Sequence, residues 1–330
     1  MLHPTSGNLI QAFYVACNFT LCILVAVSIY RKSITMTQGI HYFAIGTTVA
    51  VCLGLYQVTC DFVHLPWPDA VINSNLGADQ QFGQTALGIR RMSATFLEPS
   101  VMAMHFLGMF ALFALGMRYR AIGVAVLFCL LISTSGTAYA GLVCISILSI
   151  VVQIWRYGLG MRTTMAISIV IGLVAAALII NSMGTHDWTQ SNIVTEKLAT
   201  HSGKTRLAED AVALNTVIES WGFGVGVGST RASSFFTTFV ACTGIIGLIC
   251  LFGFFGALIL QSLKSDIKEL RALGFGLMAL FIGWLISVPD LAMPMVWVIS
   301  GMMTGVLSQF PERRPALQIA EPSSMLTTAT

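Results

Sequence analysis

Residues 181–234 read NSMGTHDWTQSNIVTEKLATHSGKTRLAEDAVALNTVIESWGFGVGVGSTRASS, and residues 235–263 continue as FFTTFVACTGIIGLICLFGFFGALILQSL. The first stretch is polar and charged. The second carries no Asp, Glu, Lys, Arg or His at all. At 1.5 Å of rise per residue a helix over 235–263 is longer than the ~30 Å hydrocarbon layer of a bilayer. A chain that switches in this way alternates between membrane span and loop, and the rest of the sequence repeats the alternation.

Upstream, apolar runs occupy Leu9–Tyr30, Ile40–Cys60, 99–117, 121–134, Tyr139–Trp155 and Thr164–Ile180; downstream, they occupy Leu273–Val288 and Leu291–Leu307. The composition agrees: of 330 residues, 56% are hydrophobic and 9% charged, with a mean hydropathy of +0.82, whereas soluble domains carry about 25% charged residues. Runs near 20 residues predict helices rather than the shorter alternating strands of a barrel. The expectation is an all-α integral membrane protein, a polytopic helical bundle of about nine spans. Residues 1–310 form one membrane domain, with a large outer loop at 181–234 and a smaller one at 61–97. The start reads as a first span rather than a cleavable signal peptide. Residues 311–330, rich in Pro, Ser and Thr, read as a disordered cytoplasmic tail.

The cations set the orientation. With the N-terminus outside, Arg31, Lys32, Arg118, Arg120, Arg156, Arg162, Lys264, Lys268, Arg271, Arg313 and Arg314 fall in the cytoplasm, and Arg90, Arg91, Lys197, Lys204, Arg206 and Arg231 fall outside. Short loops rich in Lys and Arg stay cytoplasmic, so this arrangement is the expected one. The outer six then sit where the topology signal disfavours them, in two loops facing one compartment, which suggests an anionic partner there. The net charge of +3 is too small to argue for nucleic acid. The eight cysteines form no C-x-x-C pair and lie almost all in apolar runs, as small packing residues do.

Within the large loop, Leu207, Ala211, Leu214, Ile218 and Trp221 recur at helical spacing, which predicts an amphipathic helix over 205–220 lying against the membrane surface or the bundle. Arg206, Glu209 and Asp210 then occupy its more polar side, where Arg206 and Asp210 could equally form an ordinary surface ion pair. GFGVGVGST lacks the ending of a nucleotide-binding P-loop. Its glycines, Gly226 and Gly228 among them, permit a tight turn and close approach of N–H groups to an anion; Arg231 follows just before the membrane. In RRMSATFLEPS, Arg90 and Arg91 precede Glu98, and Pro99 suits a first helical turn. Glu98 is readable as a helix-start acid and the arginines as interfacial cations, or as one wall of a cleft facing the other loop. His105 and Asp290 are ionisable groups in or beside spans and are noted for that reason.

Four stretches in order, RRMSATFLEPS, LLISTSGTAYAGL, SGKTRL and GFGVGVGSTRASSFFTTFVACTGIIGLI, resemble the family of O-antigen ligases and oligosaccharide repeat-unit polymerases of bacterial surface polysaccharides. The resemblance covers about 90–260. It implies a GT-C-like fold and glycosyl transfer at the outer face of the bacterial cytoplasmic membrane, from a polyprenyl-pyrophosphate-linked oligosaccharide to an acceptor hydroxyl. The implied partners are that lipid, the membrane, a chain-length regulator and export machinery, with no cofactor or metal. By this reading Arg206 and Arg231 neutralise the departing pyrophosphate, and Glu98 leads as general base. Arg90, Arg91, Lys204, Glu209, Asp210, Gly226 and Gly228 line the substrate. Where the ligase branch carries a His-Asn pair, this chain has Arg231-Ala-Ser-Ser, which favours polymerase; it also has fewer N-terminal spans than the family commonly shows. A transporter or flippase of lipid-linked sugar, and a non-catalytic assembly subunit, are the other readings.

Overall fold

The computed structural model describes residues 6–66, 85–86, 89–96, 98–115, 119–133, 135–157, 201–287, 290 and 293–310. Its elements are helices α1 (Ser6–Tyr30), α2 (Met36–Val63), α3 (Pro99–Leu115), α4 (Arg120–Ile132), α5 (Gly136–Tyr157), α6 (His201–Glu219), α7 (Phe235–Lys264), α8 (Lys268–Ser287) and α9 (Pro294–Leu307). Two two-residue strands, β1 (Thr85–Ala86) and β2 (Ile89–Arg90), pair antiparallel with Thr85 opposite Arg90. The expected spans at 99–117, 121–134 and 139–155 correspond to α3, α4 and α5. The one expected at 164–180, and the loop from 181 to 200, lie outside the described residues.

Four of these helices, α1, α2, α7 and α8, are long and apolar enough to cross a membrane. The protein is a helical membrane protein, and its surface says the same. Phe13, Phe19, Val49, Phe128, Val151 and Ile249 stand exposed on five different helices, a belt that only lipid covers without cost. The remaining apolar helices are shorter. With 13 and 14 residues, α4 and α9 rise only ~20 Å, less than a hydrocarbon layer.

Local chemistry sets the helix ends. Thr35 and Gln38 form a reciprocal capping box at the start of α2: Gln38 N–H donates to Thr35 Oγ1 at 3.2 Å, and Thr35 N–H to Gln38 Oε1 at 2.9 Å. Ser234 caps α7 by accepting Thr237 N–H at 3.3 Å. Pro99 opens α3 at the position the sequence predicts, and the Glu98 carbonyl accepts Met102 N–H at 3.1 Å.

Inside the bundle, α8 is apolar on every side and is the central helix; its Gly276 and Gly283 face Leu112 and Met104 of α3, while Gly108 of α3 faces Leu280. Small residues let two helices approach where lipid offers no hydrophobic drive to do so. Gly301 and Gly305 of α9 repeat the device against the Cys22 and Ala26 carbonyls of α1, a Gly-x-x-x-Gly contact. Phe235 stacks on Trp284 at 3.8 Å, and Phe255 meets Trp284 edge-on at 6.1 Å, which fixes α7 to α8.

The cations sort to opposite ends. At one, His41 Nδ1 meets the Tyr119 hydroxyl at 3.0 Å. There Thr37, Tyr119 and Glu269 line a single small cavity, and Gln309 Nε2 donates to the Ile29 carbonyl at 2.7 Å. Arg31, Lys32, Arg120, Lys268 and Arg271 belong to this end by chain position. The other end holds the segment before α3, the α4–α5 turn, α6 and the start of α7.

Candidate functional site

The segment before α3 is held by one buried side chain. Gln57, near the C-terminal end of the apolar helix α2, accepts Ser93 N–H and Ala94 N–H on Oε1, each at 2.9 Å, and donates from Nε2 to Ser93 Oγ at 3.1 Å. Every polar atom of the Gln57 amide is thereby used, as burial requires. Met92, Ser93 and Ala94 are buried around it. This clamp sets the position of Arg91, the next residue back. The sequence signal was available, a glutamine inside LGLYQVTC, but nothing in the spacing says what it binds.

Arg91 is half-buried, with Arg206, Tyr139 and Glu98 as its electrostatic neighbours. Burial lowers its guanidinium below the ordinary value, the like charge of Arg206 lowers it further, and Tyr139 and Glu98 oppose the shift. An arginine so placed still carries its charge at neutral pH. Three loops therefore converge. Arg91 and Glu98 come from the segment before α3, Tyr139 from the first turn of α5, and Arg206 from the first turns of α6. Tyr139 is nearly buried and donates its hydroxyl to the Leu131 carbonyl at 3.0 Å, so it walls the cluster. It is the first residue of the apolar run expected at 139–155 and was not among the expected site residues. Glu98 is half-buried and accepts Ser100 Oγ at 3.0 Å. His105 lies beneath, its Nδ1 2.9 Å from the Val101 carbonyl and its ring 4.6 Å from that of Phe96. The carbonyl can only accept, so Nδ1 carries the proton.

Asp210 does not turn to Arg206. Its Oδ1 accepts Ser233 N–H at 3.0 Å and Thr237 Oγ1 at 2.7 Å, and so joins α6 to the first turn of α7. Ala213 packs with Ala232 and Ala241 on the same face, with Val217 against them. Arg206 shares this face, four residues before Asp210, and is exposed, as is Glu209. Arg90 is placed in β2, and Lys204 in the first turn of α6.

The glycine turn docks on a break in α7. Gly244 has φ 71°, outside the helical range, and splits α7 in two. The Ala241 and Cys242 carbonyls that the break frees accept Val225 N–H and Gly226 N–H, each at 2.9 Å, while Ile245 N–H donates to the Gly222 carbonyl at 2.9 Å. A Cβ on Gly224 would lie 2.6 Å from the Gly244 nitrogen. The glycines therefore serve close approach of backbone to backbone, and the Gly226 N–H is already bonded. Gly228 lies against Asn8 and Gln11 of α1.

Arg231 occupies a second place. It is exposed at the rim of a polar cavity of about 110 Å³ lined also by Gln11, Thr230, Thr238, Cys242 and Asp290. The Asp290 carbonyl accepts Trp284 Nε1–H at 2.8 Å. The arginines expected to act together thus divide between the Arg91–Arg206 cluster and the Arg231 cavity, with the first turn of α7 adjoining both. Comparison with protein-family models, with curated proteins and with solved structures finds no match.

Proposed function

We propose that the chain is a membrane glycosyltransferase that polymerises polyprenyl-pyrophosphate-linked oligosaccharide repeat units at the outer face of the bacterial cytoplasmic membrane. The observation that carries this reading is the pairing of Arg91 with Arg206. Two like charges from loops far apart in sequence are held within each other's field, one of them half-buried. Glu98 offsets part of this repulsion, and two guanidinium groups in one place still favour a ligand of higher negative charge. A pyrophosphate leaving group meets that need, and fixed guanidinium groups stabilise the charge that develops on it.

In the proposed step the acceptor hydroxyl oxygen attacks the anomeric carbon. The bond from that carbon to the phosphate oxygen breaks, and the lipid pyrophosphate departs with the electron pair. Glu98, beside Arg91, takes the hydroxyl proton. Arg231, across the first turn of α7, binds a further anionic or polar group of the donor. Asp210 positions α6 rather than reacting.

The break in α7 bears on the transporter reading, since transporters bind cargo at such breaks. Here the freed backbone groups are bonded to the glycine turn, which leaves them no ligand to hold. Incubating the purified protein, in vesicles, with lipid-linked repeat units separates the readings. Longer glycan supports the polymerase; glycan joined to a different lipid or protein acceptor supports a ligase; transfer between leaflets without elongation supports a transporter. No reaction at all with authentic repeat units would sink the enzyme reading.

A further inference from the structure

The Arg231 cavity differs in kind from the Arg91–Arg206 cluster. Where the cluster brings two cations together, the cavity brings charges of opposite sign, Arg231 and Asp290, to one space with the neutral polar residues Gln11, Thr230 and Thr238. Its volume of about 110 Å³ far exceeds the ~10–15 Å³ that a single water requires. It has room for a cluster of waters or for one small ring in their place.

Four chain segments wall this space, and each is tied in place. Gly228, at φ 80°, lets α1 close on the glycine turn: a Cβ there would lie 3.1 Å from the Asn8 Cα and from the Gln11 Cβ. Asn8 Nδ2 donates to Ser229 Oγ at 2.7 Å and joins the same two segments. On the α7 side, Cys242 Sγ lies 3.5 Å from the Thr230 carbonyl, and Ala232 N–H donates to Thr238 Oγ1 at 2.9 Å. Thr238 Oγ1 is thus an acceptor already, and its proton is the part it brings to a ligand. Asp290, half-buried, is held by its own carbonyl, which accepts Trp284 Nε1–H at 2.8 Å. Walls fixed in this way lose little freedom when something binds between them.

The mixture of charges says what kind of ligand fits. A phosphate would gain from Arg231 and lose to Asp290, since like charges in one site oppose each other. A hydroxyl both donates and accepts. A ligand bearing several of them uses the donors of a guanidinium, the lone pairs of a carboxylate and the amide and hydroxyl groups beside them. We infer that the cavity is a subsite for one neutral sugar residue, with Asp290 and Arg231 on its hydroxyls and Gln11 and Thr238 completing the contacts. The two places that hold arginine then divide the substrate: pyrophosphate at Arg91 and Arg206, sugar at Arg231. This makes α1 and the connection from α8 to α9 part of the binding surface. The inference rests on the reading of the substrate as a lipid-linked glycan.

Two probes test it in lipid nanodiscs: the lipid-linked repeat unit, and polyprenyl pyrophosphate carrying no sugar. Their affinities are measured on the parent chain, Asp290→Ala, Asp290→Asn, Gln11→Leu and Arg91→Ala. The parent should bind the glycan-bearing lipid more tightly than the bare one. Asp290→Ala should weaken the repeat unit by ~10–10²-fold, as loss of a charged hydrogen-bond partner does, and Gln11→Leu by ~3–10-fold. Neither should weaken the bare pyrophosphate, whereas Arg91→Ala should weaken both probes alike. Asp290→Asn keeps the shape of the side chain and guards against a folding defect; it should lose affinity for the repeat unit alone. Equal losses for both probes in that variant overturn the subsite, because the cavity then holds phosphate. No loss for either also overturns it, because the cavity then holds only water. A parent that elongates glycan yet binds both lipids alike loses the subsite and keeps the enzyme reading. A parent that prefers the glycan-bearing lipid through Asp290 yet never elongates it keeps the subsite and loses the enzyme reading.

Discussion

Two loops bring arginine to the same end of this bundle, and they are held by opposite means. Residues 91–98 are fixed by a side chain, the Gln57 amide, which takes two backbone N–H groups at 2.9 Å and leaves Arg91 half-buried. Residues 222–226 are fixed by backbone, through bonds exchanged with a broken turn of α7, and the chain then runs on to Arg231 at the surface. The difference teaches where preorganisation lies. A guanidinium in a buried setting costs desolvation before any ligand arrives and loses little more when one binds. One on the surface is free to find its ligand but must be ordered to hold it.

The largest effect expected is on the backbone-held loop. Gly244→Ala places a Cβ 2.5 Å from the Phe223 carbonyl carbon, and Gly224→Val meets the α7 backbone in the same way. The left-handed backbone alone costs ~1–2 kcal/mol for a residue with a side chain, and the collision is with atoms that cannot rotate away. Both variants should lose monodisperse, folded protein in detergent. Gly256→Ala, with open space at its Cβ, should be normal. A normal melting curve for Gly244→Ala would show that the loop is not docked on the break.

Next come the arginines. Arg91→Ala and Arg206→Ala should each slow elongation by roughly 10²–10³, as loss of a donor to a developing anion does. Lysine should restore only part, since a point charge does not replace a two-pronged donor. Arg231→Ala, exposed and in a separate cavity, should lose a charged hydrogen bond of about 1.5–3 kcal/mol, roughly 10–10²-fold. Comparing double variants sharpens the contrast. Arg91 with Arg206 should be strongly non-additive, and Arg231 with Arg206 nearly additive. Near-normal polymer from Arg206→Ala at matched membrane levels would remove the cluster from the chemistry.

A third, smaller effect tests the clamp. Gln57→Leu leaves the Ser93 and Ala94 N–H groups without their acceptor, at ~1–3 kcal/mol apiece, and frees Arg91 to move. The thermal midpoint should fall and elongation with it, by less than for Arg91→Ala. Gln57→Glu, which keeps an acceptor oxygen, should fall less than Gln57→Leu. Equal activity for Gln57→Leu and the parent would mean that Arg91 needs no fixed position.

Much of this frame was legible in the sequence, because apolar run length is read directly as helix. The runs at 9–30, 121–134 and 235–263 differ from α1, α4 and α7 by three residues or fewer at each end, and Pro99 marked the start of α3. The loop helix was also predicted, although it begins at His201 rather than Thr205. Its stripe was legible only as apolar. Leu207, Leu214 and Ile218 form the exposed face, and Ala213 and Val217 the packed one. Periodicity cannot separate them, because both faces are apolar. Of the site, the residue types were legible and their grouping was not. Arg91 comes within the field of Arg206 only through tertiary folding, Tyr139 was legible only as the start of a span, and Gln57 had no spacing to betray its partners. The glycines of the turn read as an anion cradle because the acceptors of their N–H groups appear only when α7 breaks at Gly244.

The smallest effect expected is at Asp210, and it separates the acids by role. Asp210 accepts from Ser233 N–H and Thr237 Oγ1 on a single oxygen, at 3.0 and 2.7 Å, and it does so at the N-terminus of α7, where the helix dipole favours a carboxylate. Asp210→Asn keeps an amide oxygen for both donors and gives up only the charge. The loss should be on the order of 1 kcal/mol of stability, the difference between a charged and a neutral acceptor, with turnover largely retained. Asp210→Ala loses the acceptor as well and should cost more in stability. If Glu98 takes the acceptor proton, Glu98→Gln must abolish elongation at unchanged stability, since an amide cannot accept that proton at working pH. The two isosteric changes are therefore read side by side, with elongation and thermal midpoint measured on each. Elongation lost in Asp210→Asn and kept in Glu98→Gln would exchange the roles, making Asp210 the base and Glu98 a helix-start acid.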